Sequence, residues 1–288
     1  MDELRISHFF KATDGLNLHV SVYGAANGRT QLVCLPGLTR PARDFDTLAR
    51  DIHSAQNRRV ICVDYRGRGS SDWDPDWTHY AIPNEQADIL TVLAQLGVER
   101  AHFLGLSRGG LHGILLGAAR PDLVASLVLD DIGPVVETAG LAKIKDYVGR
   151  LPLLRNWDAA LAHFKAGMGD KFTGLSEADW LTYAQNTLIQ TPQRLRLSYD
   201  PQIARTLDAF DPAVPLPDLW APFCAIQAPI FALRGENSDV LSAETLVEMA
   251  ARHPRCQTHV VPGQGHAPML LDGATLERIG AFINGAES

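Results

Sequence analysis

The chain has 288 residues, a formal net charge of −7, 46% hydrophobic residues and 20% charged residues. That balance suits a globular domain able to bury a sizeable core, and it excludes disorder, collagen-like repeats and coiled coils. The acidity argues against a nucleic-acid partner, and no apolar run approaches the roughly 18 residues that span a bilayer. Met1–Phe10 carries Asp2, Glu3 and Arg5 without an apolar stretch, so no secretory leader is expected.

In chain order, Ile6–Thr13 and Asn17–Tyr23 read as strands flanking Asp14-Gly15, a strong hairpin-turn pair. Gln31–Leu35, Arg59–Asp64, Ala101–Leu106, Val124–Leu129, Ile230–Leu233 and Gln257–Val261 are short apolar runs, the pattern of strands buried on both faces of a parallel sheet. Between them, Asp44–Ala55, Asn84–Leu96, Gly109–Ala119 and Ala243–Arg252 carry apolar residues at helical spacing. Strand and helix alternate, which predicts an α/β fold with a mostly parallel, doubly wound sheet. The alternation breaks once. From Gly133 to about Pro222 no buried strand is evident, only helix-like segments at Leu141–Val148, Trp157–Met168 and Glu177–Leu188. The expected organisation is therefore a core of residues 1–133 and 223–288 with a helical insertion at 134–222. The insertion is rich in aromatic residues. Trp157, Phe164, Trp180 and Tyr183 are candidate substrate-binding side chains, against the plainer expectation that they form the insertion's own core. Cys34, Cys62, Cys224 and Cys256 form no C-x-x-C pair and read as buried reduced thiols, which suits a cytoplasmic protein.

The strongest chemical signal is Gly105-Leu106-Ser107-Arg108-Gly109, a G-x-S-x-G pattern between a buried strand and a glycine-rich helix. A serine on a sharp strand-to-helix turn exposes its hydroxyl, and the glycines keep side chains out of the turn. Ser107 is thus the candidate nucleophile, and a serine hydroxyl needs a base. Of ten histidines, His266 follows the last strand in the flexible loop Pro262-Gly263-Gln264-Gly265-His266. From there it reaches the carboxyl ends of the strands, where sites in such folds gather. His102 and His259 lie on strands, His53 and His163 on helices, and His112 one turn into the helix after Ser107; these read as structural. For the acid that orients the base, Asp239 in the loop after the penultimate strand is expected. Asp131, ending the strand after the nucleophile helix, is the alternative, otherwise a helix-capping or supporting residue. The backbone N–H groups of Arg108 and Leu38 are expected to form the oxyanion hole. Arg40 is a candidate contact for an anionic substrate group, although a salt-bridged arginine is the commoner outcome. No metal-binding spacing, P-loop or complete dinucleotide fingerprint is present, so no cofactor and no metal are expected.

Leu35-Pro36-Gly37-Leu38, Asp64-Tyr65-Arg66-Gly67-Arg68-Gly69-Ser70-Ser71-Asp72, Gly105–Gly110, Arg234–Ser242 and Gly265-His266 together resemble the α/β-hydrolase superfamily. The likeness is to its cap-bearing branch of small bacterial esterases, enol-lactonases and carbon–carbon bond hydrolases, over about residues 15–285. The resemblance implies the α/β-hydrolase fold, with residues 134–222 as a lid over the site. The order Ser107, Asp239, His266 matches the family's Ser…Asp…His order. Arg108 departs from the pattern, because Met or Leu is frequent at that position. The expected activity is hydrolysis of a small carboxylic ester or lactone through an acyl-enzyme. The alternatives are a carbon–carbon bond hydrolase of vinylogous diketones using the same triad and, in a different class, a non-catalytic small-ligand receptor.

Overall fold

A computed structural model describes residues 4–287; Met1–Glu3, where Asp2 and Glu3 of the expected leaderless start fall, and Ser288 lie outside the described residues. The main sheet begins with a hairpin of β1 (Arg5–Lys11) and β2 (Asn17–Tyr23), joined through the Asp14-Gly15 turn. It continues with β3 (Gln31–Leu35), β4 (Val60–Val63), β5 (Ala101–Leu106) and β6 (Val124–Asp130). After a short β7 (Leu188–Gln190) and β8 (Leu195–Leu197), which pair only with each other, it ends with β9 (Ile230–Gly235) and β10 (Cys256–Val261). The strand order is β1-β2-β4-β3-β5-β6-β9-β10. β2 runs antiparallel to β1 and β4, and the remaining neighbours are parallel.

Alternating side chains feed two cores. Val33, Leu35, Phe103, Leu127 and Leu129 pack with α2 (Ile82–Gln95), α3 (Arg108–Ala119) and α8 (Ala243–Arg252) on one face. Leu32, Cys34, Leu104 and Val128 pack with α1 (Asp46–Gln56) and α9 (Gly273–Gly285) on the other. This is the two-sided burial that the apolar runs predict, each fully buried Leu or Ile contributing about 1.5–3 kcal/mol before entropy is counted. Among the described residues no helix is long and apolar enough to cross a membrane.

Between β6 and β9 lie α4 (Thr138–Tyr147), α5 (Trp157–Met168), α6 (Glu177–Thr187) and the β7–β8 hairpin. They share a third apolar cluster, including Val148, Leu154, Ala184, Leu195 and Tyr199, to which Tyr80 also belongs. The two ends of the stretch meet where Leu219 N–H donates to the Pro134 carbonyl at 2.7 Å. Its middle is stitched to the loop after β4: Gly69 N–H donates to Ser198 O at 2.9 Å, and Asp200 N–H to Gly67 O at 2.8 Å.

Four sequence expectations need correction. The stretch read as lacking strands contains the β7–β8 hairpin, whose three-residue strands are too short to show periodicity. The boundary at residue 222 cuts through α7 (Trp220–Ala225), whose Phe223 belongs to the main core. α9 is additional to the predicted elements. Cys34 and Cys62 are buried, but Cys224 is exposed and Cys256 half-buried.

Candidate active site

Ser107 occupies the β5–α3 turn with φ 49° and ψ −111°, a conformation that costs a non-glycine residue about 1–3 kcal/mol. The turn is held by Ser107 N–H donating to Asp130 O at 3.0 Å and by Gly110 N–H donating to Ser107 O at 2.8 Å. The flanking glycines are sterically required. A Cβ at Gly109 would lie 1.9 Å from Leu35 O, and one at Gly105 would lie 2.3 Å from the Gly109 backbone.

His266, in the loop between β10 and α9, meets this hydroxyl. Ser107 Oγ lies 2.9 Å from His266 Nε2, and His266 Nδ1 lies 2.7 Å from Asp131 Oδ2. A carboxylate only accepts, so Nδ1 carries the proton and Nε2 is free to accept from Ser107. Asp131 is fully buried, just past β6. Its Oδ1 accepts from Gly235 N–H at 2.7 Å, and its Oδ2 also accepts from Ser238 O–H at 2.6 Å.

The acid beside the histidine is therefore Asp131, not Asp239. Strand order explains this, since β6 lies between the nucleophile strand β5 and β9, so its end points into the gap beside Ser107. Asp239, four residues beyond β9, turns to the insertion and pairs with Lys143 of α4 at 2.7 Å. The residue before it, Ser238, is the one that reaches Asp131.

Leu38, in the loop after β3, lines the same cavity as Ser107, and Arg108 is the next residue in the chain. Arg108 begins α3, where first-turn N–H groups lack intrahelical partners. Its side chain turns away from the cavity, with Nε donating to Glu85 Oε2 at 2.6 Å and Nη2 to Tyr80 O at 2.9 Å. Arg40 lines the same cavity as Ser107 and is salt-bridged there. It donates to both carboxylate oxygens of Asp44 and to Thr187 Oγ1, and it lies 4.3 Å over the Tyr183 ring. Burial opposes its charge, but Asp44 outweighs burial and holds the guanidinium more firmly protonated than usual.

Ser107 and His266 open into a cavity of about 630 Å³ between the sheet edge and the insertion. Phe164 and Tyr183 line it, as expected, and meet edge to face at 5.1 Å. Trp157 and Trp180 do not. Trp157 donates to Gln190 Oε1 at 3.1 Å within the insertion, and Trp180 packs behind Phe172 and Tyr183. Tyr147, Phe172, Tyr199 and Met168 also line the cavity without a signal in the sequence, and so does His163, which the sequence reading assigns a structural place. Phe172 sits in a loop with no periodicity to reveal it. Tyr147 and His163 face the cavity through tertiary packing that a helical pattern does not encode.

His112, read as structural, is fully buried and donates from Nε2 to Glu85 Oε2 at 3.1 Å. Among the described residues, Asp14, Asp74 and His79 hold ligand atoms within 4.8 Å of one another, close enough for a metal ion. Arg66 Nη1 already donates to both carboxylates, at 2.8 and 2.7 Å, so a guanidinium takes the cation's place.

Comparison with known proteins agrees with this architecture. Residues 32–278 match the alpha/beta hydrolase family. The chain is 35% identical to a 3-hydroxybutyrate-oligomer hydrolase from Cupriavidus necator, covering 91% of this chain and 90% of that one. It is 28% identical to the sn-1-specific diacylglycerol lipase ABHD11 of Mus musculus, over 82% and 74% of the two chains. A crystal structure of an alpha/beta hydrolase from Novosphingobium aromaticivorans superposes with a TM-score of 0.90 at 36% identity, covering 98% of each chain. The chain belongs to the α/β-hydrolase family and is an enzyme of that type.

Proposed function

We propose that this enzyme hydrolyses small carboxylic esters by acyl transfer through Ser107. The observation that carries the proposal is the continuous line Ser107 Oγ–His266–Asp131, at 2.9 and 2.7 Å, whose Ser107 and His266 open into the cavity while Asp131 is buried behind them. His266 Nε2 takes the hydroxyl proton as Ser107 attacks the carbonyl carbon. The Leu38 and Arg108 amides receive the developing oxyanion, and Asp131 stabilises the imidazolium. His266 then protonates the departing alkoxide, leaving Ser107 acylated. In the second half a water gives its proton to His266 and attacks the acyl carbon, which frees the acid and restores the serine.

The insertion, residues 134–222 apart from α7, acts as a lid. It supplies Phe164, Tyr183, Tyr147 and Phe172 to the cavity wall, giving an aromatic surface for the acyl group. Four basic and four acidic side chains balance one another in that wall, which suits a substrate of little net charge. The names of the Cupriavidus and mouse relatives both support an ester substrate, and the former favours short hydroxyacyl ester oligomers.

The test is a panel of p-nitrophenyl esters of two to eight carbons, 3-hydroxybutyrate dimers and trimers, lactones and ring-cleavage dienones. Turnover of the esters and oligomers well above that of the dienones is expected. Turnover of dienones alone would move the assignment to carbon–carbon bond hydrolysis. Tight binding of a small ligand with no turnover of any compound would favour a receptor.

A further inference from the structure

Oxyanion stabilisation depends on two amides held at a fixed separation, yet here they come from unconnected segments. Leu38 lies in the loop after β3, and Arg108 starts α3. A misplacement of 1 Å at such a site costs about 10²-fold in rate. A buried chain of ionic groups joins the two segments from behind. Arg68 Nε donates to Leu38 O at 2.8 Å, and Arg68 Nη1 lies 2.8 Å from Glu85 Oε1. On the other side, Glu85 Oε2 accepts from Arg108 Nε at 2.6 Å and from His112 Nε2 at 3.1 Å. Arg108 Nη2 closes the arrangement on Tyr80 O at 2.9 Å. Glu85 and Arg68 are fully buried.

We propose that Glu85 is a positioning residue for both oxyanion donors, acting through Arg68 on the Leu38 loop and through Arg108 on the first turn of α3. The inference rests on the proposed roles of Leu38 and Arg108. Arg108 gives Glu85 one aligned hydrogen bond, which restricts direction as well as distance. Arg68 adds an ion pair to the other carboxylate oxygen while its Nε holds the Leu38 carbonyl; apolar packing between the same segments restricts neither direction nor distance in this way. Stability alone is a poor reason for the cluster, since buried ionic triads are often matched or exceeded by well-packed apolar side chains. Burial by itself would raise the Glu85 pKa, but Arg68 and Arg108 outweigh it and hold the carboxyl far below the usual range. His112 is pushed down by burial, so it stays neutral and contributes a donor without a third cation. The arrangement also accounts for the arginine after the nucleophile. Its backbone faces the reaction, and its side chain ties that backbone to the partner loop.

Arg108→Met is the primary test, because it keeps the amide and leaves Arg68 and Glu85 balanced one to one. Glu85→Gln is the second variant. Both are assayed on a short p-nitrophenyl ester, with inhibition by a boronic acid that forms a tetrahedral adduct on Ser107. The expected result for Arg108→Met is a kcat lower by about ten-fold or more, a KM within about two-fold, and boronate affinity reduced by the same factor as kcat. A folded Arg108→Met with wild-type kcat and boronate affinity overturns the inference, as does a loss confined to KM. If Glu85→Gln does not fold, the result for Arg108→Met stands alone and decides. A wild type that neither hydrolyses the ester nor takes up a serine-directed phosphonate overturns the underlying acyl-transfer reading, and the inference with it.

Discussion

Replacing Asp131 by Asn tests the corrected acid, and the hydrogen bonds around it determine what the amide does. Oδ1 accepts from Gly235 N–H, a backbone donor that cannot turn away, so the oxygen of the new amide belongs there. The NH₂ group then faces His266 Nδ1 and Ser238 Oγ, where Asp131 Oδ2 now accepts at 2.7 and 2.6 Å. The hydroxyl of Ser238 adapts by accepting. The imidazole adapts only by moving its proton to Nε2, which removes the lone pair that Ser107 needs. A fold that survives with the wrong tautomer should lose about 10⁴-fold in kcat, close to about 5.4 kcal/mol of transition-state stabilisation. Asp239→Asn removes only the partly exposed pair with Lys143, worth about 0.2–1 kcal/mol, and should change kcat less than about five-fold. Steady-state ester hydrolysis at pH 7–8, with circular dichroism to confirm folding, makes the comparison. A collapse of rate in Asp239→Asn with near-normal turnover in Asp131→Asn would refute the reasoning.

Three further outcomes are expected. Phe164→Ala and Tyr183→Ala should shift chain-length preference in kcat/KM by about 1–3 kcal/mol per mismatched methylene, whereas Trp157→Ala should lower thermal stability and leave preference unchanged. Gly109→Ala drives a Cβ into Leu35 O and should cost about 1–3 kcal/mol or more in urea unfolding, with activity lost as the turn shifts. Burial, aided by Arg58, depresses the His102 pKa to about 4 from the ordinary 6.5. The stability tied to its neutral form is thus complete above pH 6.5 and lost as pH falls toward 4, so His102→Gln should flatten the fall of melting temperature across that window.

The parts of the site readable from sequence are those set by short-range sterics. Ser107 follows from two glycines within two residues of it, and His266 from a glycine-rich loop after a buried strand. The choice between Asp131 and Asp239 is of another kind. Both follow strands that end at the same sheet edge, and only the lateral order β5-β6-β9 decides which carboxylate lies beside the histidine. Arg108 and Glu85 are 23 residues apart on different helices, and a glutamate in α2 reads like any solvated helix position until the packing is known. Trp157 and Phe164 share nearly one face of α5, yet only Phe164 meets the cavity, because the two ends of that helix lie against different neighbours. α9 did carry a signal, with an Asp272 cap on Thr275 N–H and Leu276, Ile279, Phe282 and Ile283 at helical spacing.

The measurement that bears most directly on covalent catalysis at Ser107 is intact-mass and peptide analysis after reaction with a small serine-directed fluorophosphonate. One phosphonyl adduct per chain, mapped to Ser107 and absent in Ser107→Ala, with loss of ester hydrolysis in proportion to labelling, is the expected result. An adduct that persists in Ser107→Ala, or full ester turnover by that variant, would contradict a nucleophilic role for Ser107.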